Sequence, residues 1–209
     1  MRTTRSWLLL VLALVVCCAE SPSAAIAHPH VWVTAKAEVV YAQGKIVAID
    51  HHWTFDEFYT AMAIEGLDKN GDGVYSREEL AGLAEVNMQG LKEFDYFSYA
   101  TRGTEKIAFG APTGAWLEHK DGVLTLHYRL PLEKPVAGDA TGFSLAVYDP
   151  SFFIAFEMAK DNPVTLAGAP AGCKITFGDP EAPAKSDQPD GSVFATPSAK
   201  AAVVTCGKT

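Results

Sequence analysis

Cysteine is scarce in this 209-residue chain: there are four, and Cys17 and Cys18 lie near its beginning. No CxxC pair, HExxH helix, Gly-rich phosphate loop or nucleophile elbow occurs, so the common sequence signatures of redox, metalloprotease, nucleotide and hydrolase chemistry are missing. Long apolar runs are missing too. Trp7 to Cys18 is an apolar run of twelve residues, too short to span a bilayer comfortably, and no other stretch is long enough. Positive charge is in deficit, with 17 Lys and Arg against 25 Asp and Glu and a formal net charge of −8. That balance argues against nucleic acid as a partner. No internal repeat is apparent.

The beginning of the chain has the features of a secretory signal over residues 1–27. Arg2 and Arg5 precede the apolar run, and Ala25-Ile26-Ala27 is a small-x-small cleavage site. A lipoprotein signal is a poor alternative, because Val16 and Cys17 stand where a small residue is wanted before Cys17 and Cys18. Cleavage makes His28 the new amino terminus and leaves an exported, periplasmic protein of about 180 residues, with no membrane span, that forms one domain. Removing Arg2, Arg5 and Glu20 leaves 15 basic and 24 acidic residues, a formal charge of −9. The two remaining cysteines, Cys173 and Cys206, form an even pair in an oxidising compartment, so a disulfide is expected. It would tether the C-terminal strand across a Pro/Ala/Ser/Asp-rich stretch within 179–209. The rival, a thiolate metal site, lacks a nearby histidine.

The segment from Asp68 to Glu79 fits the twelve-residue calcium loop of an EF-hand. Asp68, Asn70 and Asp72 supply side-chain oxygens at positions 1, 3 and 5. Gly73 stands at position 6, where the backbone must turn sharply. Val74 offers its carbonyl at position 7, Ser76 stands at position 9, and Glu79 is the bidentate carboxylate at position 12. A hard cation needs this alternation because the loop wraps around the ion. The flanks agree. Thr54-Phe55-Asp56-Glu57 forms a capping box, stapled by Trp53 and Phe58, for a helix of about ten residues with Phe55, Phe58, Tyr59 and Met62 along one face. Ser76 to Glu79 forms a second box, stapled by Tyr75 and Leu80, ahead of a helix carrying Leu80, Leu83, Asn87 and Leu91.

Elsewhere the period is two. Val31, Val33, Ala35 and Ala37 alternate with polar neighbours, Gln43-Gly44 turns the chain, and Lys45 to Trp53 returns. Trp116 to Lys120, Asp121-Gly122 and Val123 to Leu130 form another hairpin. Leu124, Leu126, Tyr128 and Leu130 share one face of it, and Thr125, His127 and Arg129 the other. Further strands are expected at Phe143 to Val147, Phe152 to Phe156, Lys174 to Phe177 and Ala202 to Thr205. The expected fold is α+β: a β-rich, sandwich-like domain over 28–178 with an EF-hand-like helix-loop-helix insertion at about 54–94.

Four of the six histidines, His28, His30, His51 and His52, fall close to the new terminus. A free N-terminal histidine chelates through its amine and one ring nitrogen, and His30 points to the same side of an extended chain. Imidazole suits zinc, nickel, cobalt and copper. Pro29 has no amide hydrogen, which removes the square-planar site built on deprotonated backbone amides. If Ala42 pairs with Lys45, His52 falls opposite Ala35, five residues or roughly 16 Å along the strand from His30. His51 and His52 point to opposite faces, so one of them at most serves an adjacent site. His119 and His127 read as ordinary strand residues.

These segments together resemble the uncharacterised exported family numbered 1007 among the domains of unknown function. The resemblance rests on His28-Pro29-His30-Val31-Trp32-Val33, on Trp53 to Phe58, on the acidic loop, on Tyr148-Asp149-Pro150-Ser151-Phe152-Phe153 and on Cys173. It implies a bacterial envelope protein associated with ABC-type transport and with membrane transporters of nickel, cobalt or zinc. It supplies no catalytic residues.

The function expected from all this is a non-enzymatic, periplasmic metal-binding accessory with calcium in the acidic loop. The alternative is a calcium-stabilised envelope interaction module that binds no transition metal. An enzyme is the third reading: a terminal histidine beside a second imidazole is similar to the histidine brace of copper oxidases, with nothing else to support it.

Overall fold

The computed structural model describes residues 29–138, 142–178 and 200–207. Residues 1–27, where a signal is expected, His28 and most of the Pro/Ala/Ser/Asp-rich stretch lie outside the described residues. Two long hairpins organise the molecule. β1 (Val31–Ala42) and β2 (Lys45–Phe55) are joined by Gln43-Gly44, both at positive φ, and β5 (Thr113–Lys120) and β6 (Val123–Ala137) by Asp121-Gly122, also both positive. Successive positive φ values are what a two-residue turn matched to strand twist requires, which is why glycine ends each pair. β2 pairs with β6, and the parallel strands β8 (Ile154–Met158) and β9 (Val164–Ala167) lie end to end along the free edge of β1, completing a six-stranded sheet. The second sheet has the order β10 (Cys173–Gly178), β11 (Ala201–Cys206), β7 (Phe143–Val147), β3 (Ser98–Arg102), β4 (Glu105–Ile107). β4 and β9, of three and four residues, are too short to show a period in the sequence. Cys173 and Cys206 are directly opposed on β10 and β11 and are bonded.

The inner face of the large sheet is covered in two halves. Val39, Tyr41, Ile46 and Ile49 face Phe143, Leu145, Ala202 and Val204 of the second sheet. The other half, with Val33, Ala35, Trp53, Phe55, Leu124 and Leu126, is closed by helices: α1 (Glu57–Ala63), α2 (Arg77–Lys92) and a single 3-10 turn at Asp95–Phe97. Leu80 and Ala84 of α2 are buried in this cluster.

That arrangement corrects the expected fold class. The chain is a β-rich two-sheet molecule, and the segment between β2 and β3 is not an α+β fold's EF-hand-like insertion. α1 has only seven residues and packs on β6, where the N–H of Leu124 donates to the Thr60 hydroxyl at 3.0 Å. α2 packs on β5. The helices are there because the second sheet reaches only half of the large one, and apolar surface left in water is unfavourable by about 25 cal/mol per Å². The first helix start also differs. Thr54 and Phe55 remain in β2, and Asp56 is the cap, accepting from Tyr59 N at 2.9 Å with one oxygen and from Trp32 N at 2.9 Å with the other. Phe55 and Tyr59 stack on each other, whereas Phe58 and Met62 face solvent.

A β-bulge decides the faces of β2. Ala42 pairs with Lys45 as expected, but Tyr41 pairs with Ile46 and Val40 with Ala48, so Val47 is extra. The slip moves His52 from the expected partner Ala35 to Lys36. Paired residues share a face, and a slip of one residue exchanges faces. His51 therefore enters the core, and His52 emerges on the outer face.

Candidate cation-binding sites

The acidic loop is folded by its own oxygens. Asp68 accepts the amides of Gly71 at 2.7 Å and Gly73 at 2.9 Å, Asn70 accepts that of Asp72 at 2.9 Å, and Asp72 that of Val74 at 2.8 Å. Asn70 also donates to Asp72 at 3.0 Å. Gly73, at φ 76°, takes a backbone conformation that L side chains avoid. Glu79 reaches back across the loop to the amides of Ser76 at 2.9 Å and Lys69 at 2.8 Å, while Ser76 caps α2. These donors, the Ser76 amide foremost, hold the Glu79 carboxyl below its ordinary pKa and keep it ionised. Three carboxylates and an amide oxygen thus crowd a short turn. Among the described residues, however, no three His, Cys, Asp or Glu side chains converge as a metal cage would, and the loop carboxylates point at amides instead of at one centre. Val74 is exposed.

The histidines part company. His28 lies outside the described residues. His30 sits just before β1, its amide donating to Phe153 O at 2.9 Å and its ring 4.9 Å from that of Phe153. It is six residues from Lys36, the partner of His52, or roughly 20 Å along the strand. His51 is fully buried, stacked on Tyr128 at 4.8 Å and edge-on to Trp53 at 5.6 Å, with Nε2 3.2 Å from the Ser98 hydroxyl. Burial, followed by its neighbour His52, lowers its pKa to about 3, so it is a neutral core residue. The structure does not bring His30, His51 and His52 to one point.

It brings together a pair that strand periodicity did not reveal. Across the outer face run Lys36, His52, His127 and Trp116, one from each of β1, β2, β6 and β5. The Nδ1 atoms of His52 and His127 are 2.7 Å apart. The flat face of the His127 ring lies on Trp116, with centroids 4.0 Å apart and planes 10° apart, and the Arg77 guanidinium lies 3.5 Å over the same indole. Glu118, diagonal to His127, has its carboxylate 3.6 Å from Nε2. Burial pushes the His127 pKa down, His52 adds to this, and Glu118 opposes it. Adjacent rows carry Thr54 with Thr125, hydroxyls 3.0 Å apart, and the Asp50–Arg129 pair with contacts of 2.6 and 2.7 Å. His127, Trp116, Glu118 and Arg77 went unrecognised because β2 and β6 are 75 residues apart at this point, and no local pattern records that pairing. His119 packs edge-on against Tyr75, at the end of the acidic loop.

Comparison with known proteins gives a family and two relatives. The family model described as "Protein of unknown function (DUF1007)" matches residues 12–202. An uncharacterized 15.5 kDa protein from the trpE 3′ region of Spirochaeta aurantia is 32% identical over 99 residues, covering 47% of this chain and 70% of that protein. An uncharacterized protein of Haemophilus influenzae is 22% identical over 151 residues, 71% of each chain.

Proposed function

This chain belongs to the DUF1007 family of proteins of unknown function, and on that premise we propose that it is a non-enzymatic accessory protein of the bacterial envelope that binds cations. Calcium is held by Asp68, Asn70, Asp72, Val74, Ser76 and Glu79. A transition metal of the zinc, nickel, cobalt or copper kind is held by histidine and exchanged with a membrane transporter. The observation that carries the reading is the acidic turn itself: Asp68, Asp72 and Glu79 are drawn into one short loop with two glycines at positive φ, leaving a dense negative charge with few cationic partners. Two basic residues, Lys69 and Arg77, lie between Asp68 and Glu79, and the Arg77 guanidinium is turned onto the Trp116 ring. A calcium ion would turn these carboxylates from amides to metal, with affinity on the order of 10⁻⁴–10⁻³ M as for other extracellular single-loop sites.

Calorimetry on protein with its processed terminus tests this. Calcium is expected to bind once in that range and to raise the unfolding temperature, and Glu79→Gln to remove both effects while keeping the helix cap. A wild-type protein whose melting is the same in calcium and in chelator would end the calcium assignment. Metal analysis of material purified from the periplasm with the native terminus tests the transition-metal part.

The interaction-module reading draws on exposed apolar side chains, Trp32 at 54% on β1 and Phe153 at 53% just before β8, the strand that pairs with β1. Under it, replacing the histidines by alanine leaves growth under metal stress unchanged.

A further inference from the structure

We propose that His52 and His127 together form a site for a first-row divalent transition cation on the outer face of the six-stranded sheet, both Nδ1 atoms ligating. The inference rests on the cation-binding reading above and gives its nitrogen site a location away from the chain terminus. The two Nδ1 atoms lie 2.7 Å apart. With no cation, one ring donates its proton to the other's lone pair. Two imidazoles on a tetrahedral zinc, at about 2.0–2.1 Å each, have nitrogens about 3.3 Å apart, so a separation of about 0.6 Å converts one arrangement to the other. Small χ rotations supply that without moving the strands.

The surroundings select the ligating form of His127. The Glu118 carboxylate lies 3.6 Å from Nε2, which is buried and has no hydrogen-bond partner, and its charge favours the tautomer with the proton there, leaving the Nδ1 lone pair facing His52. A carboxylate behind a ligating histidine raises the basicity of the ring. Trp116, sandwiched between His127 and Arg77, fixes the plane of the ring. Lys36, the partner of His52 on β1, is exposed and places a positive charge on the same row, which Glu118 offsets on the other side. Nitrogen donors without carboxylate ligands discriminate against calcium and magnesium, which take oxygen. The acidic loop and the histidine pair thereby sort hard from borderline cations within one chain. Two protein ligands leave coordination positions open to water or to a donor from a partner, the condition for rapid exchange.

The test uses chelator-stripped, processed protein titrated with zinc chloride. One equivalent is expected to bind. ¹⁵N spectra of the wild type are expected to show two histidine rings shifting together at Nδ1. His127→Ala and His52→Ala each remove that equivalent, His30→Ala retains it, and Glu118→Gln weakens it by about tenfold. The ring spectra need no variant and so stand if a substitution disturbs folding. Zinc binding that survives His127→Ala but is lost in His30→Ala overturns this site and leaves the accessory reading standing. A wild type that takes no zinc, nickel, cobalt or copper overturns both. Ring nitrogens unmoved at saturating zinc overturn the proposal by themselves.

Discussion

At the scale of single residues, chemistry in this molecule is set by which side of a strand a side chain leaves from. His51 and His52 are neighbours in sequence, yet one is a neutral core residue against Tyr128 and the other meets His127 on the outer face. Asp149 shows the same dependence on position. It is buried, accepts the Ser151 amide at 2.8 Å, the Ser151 hydroxyl at 2.7 Å and the Ile154 amide at 2.9 Å, and so builds the turn that starts β8. Asp149→Ala leaves those donors without an acceptor, and a loss of about 1–3 kcal/mol in urea unfolding is expected. A change below about 0.5 kcal/mol would mean that water replaces the carboxylate there. The Tyr148 to Phe153 motif was legible as a signature, but its role in anchoring a parallel strand was not.

At the scale of elements, the hairpins and the second helix were the legible parts. Gln43-Gly44 and Asp121-Gly122 mark turns by local stereochemistry, and the Ser76–Glu79 capping box is present as read. The first helix was not legible to its ends, because Thr54 and Phe55 have high strand propensity and pair within the sheet, which leaves Asp56 to cap. α2 is a cover for the core. Leu80→Ala, at a site with no exposure, is expected to cost about 2–5 kcal/mol, whereas Val86→Ala, at 64% exposure on the same helix, should fall within about 0.5 kcal/mol. Urea denaturation of the two variants compares them. Equal midpoints would show that the helix does not close the core.

At the scale of the whole molecule, the C-terminal strand is integral. β11 lies between β10 and β7 and buries Ala201, Ala202 and Val204, and the Cys173–Cys206 bond joins its end to β10 across 33 residues of chain. In the chain-entropy model such a loop stabilises by about 3–4 kcal/mol. Replacing both cysteines by serine is expected to lower unfolding stability by about that amount while the buried strand keeps the protein folded. Reductant should then have no further effect on the variant. A double variant as stable as the oxidised wild type would place the strand's anchorage entirely in its packing.

The amino-acid sequence determined the hairpin turns, the alternation of their strands, the acidic loop with its capped second helix and the pairing of the only two cysteines beyond residue 18, because each is written in neighbouring residues or in a count. Tertiary structure alone decided that β2 pairs with β6, that β8 and β9 run parallel along β1, that two helices close half a sheet, and that an extra residue at Val47 turns His52 outward toward His127. A period of two is indifferent to which face is which. That choice is made where burial of the whole apolar set resolves it, and distant strands find one another only through that shared core.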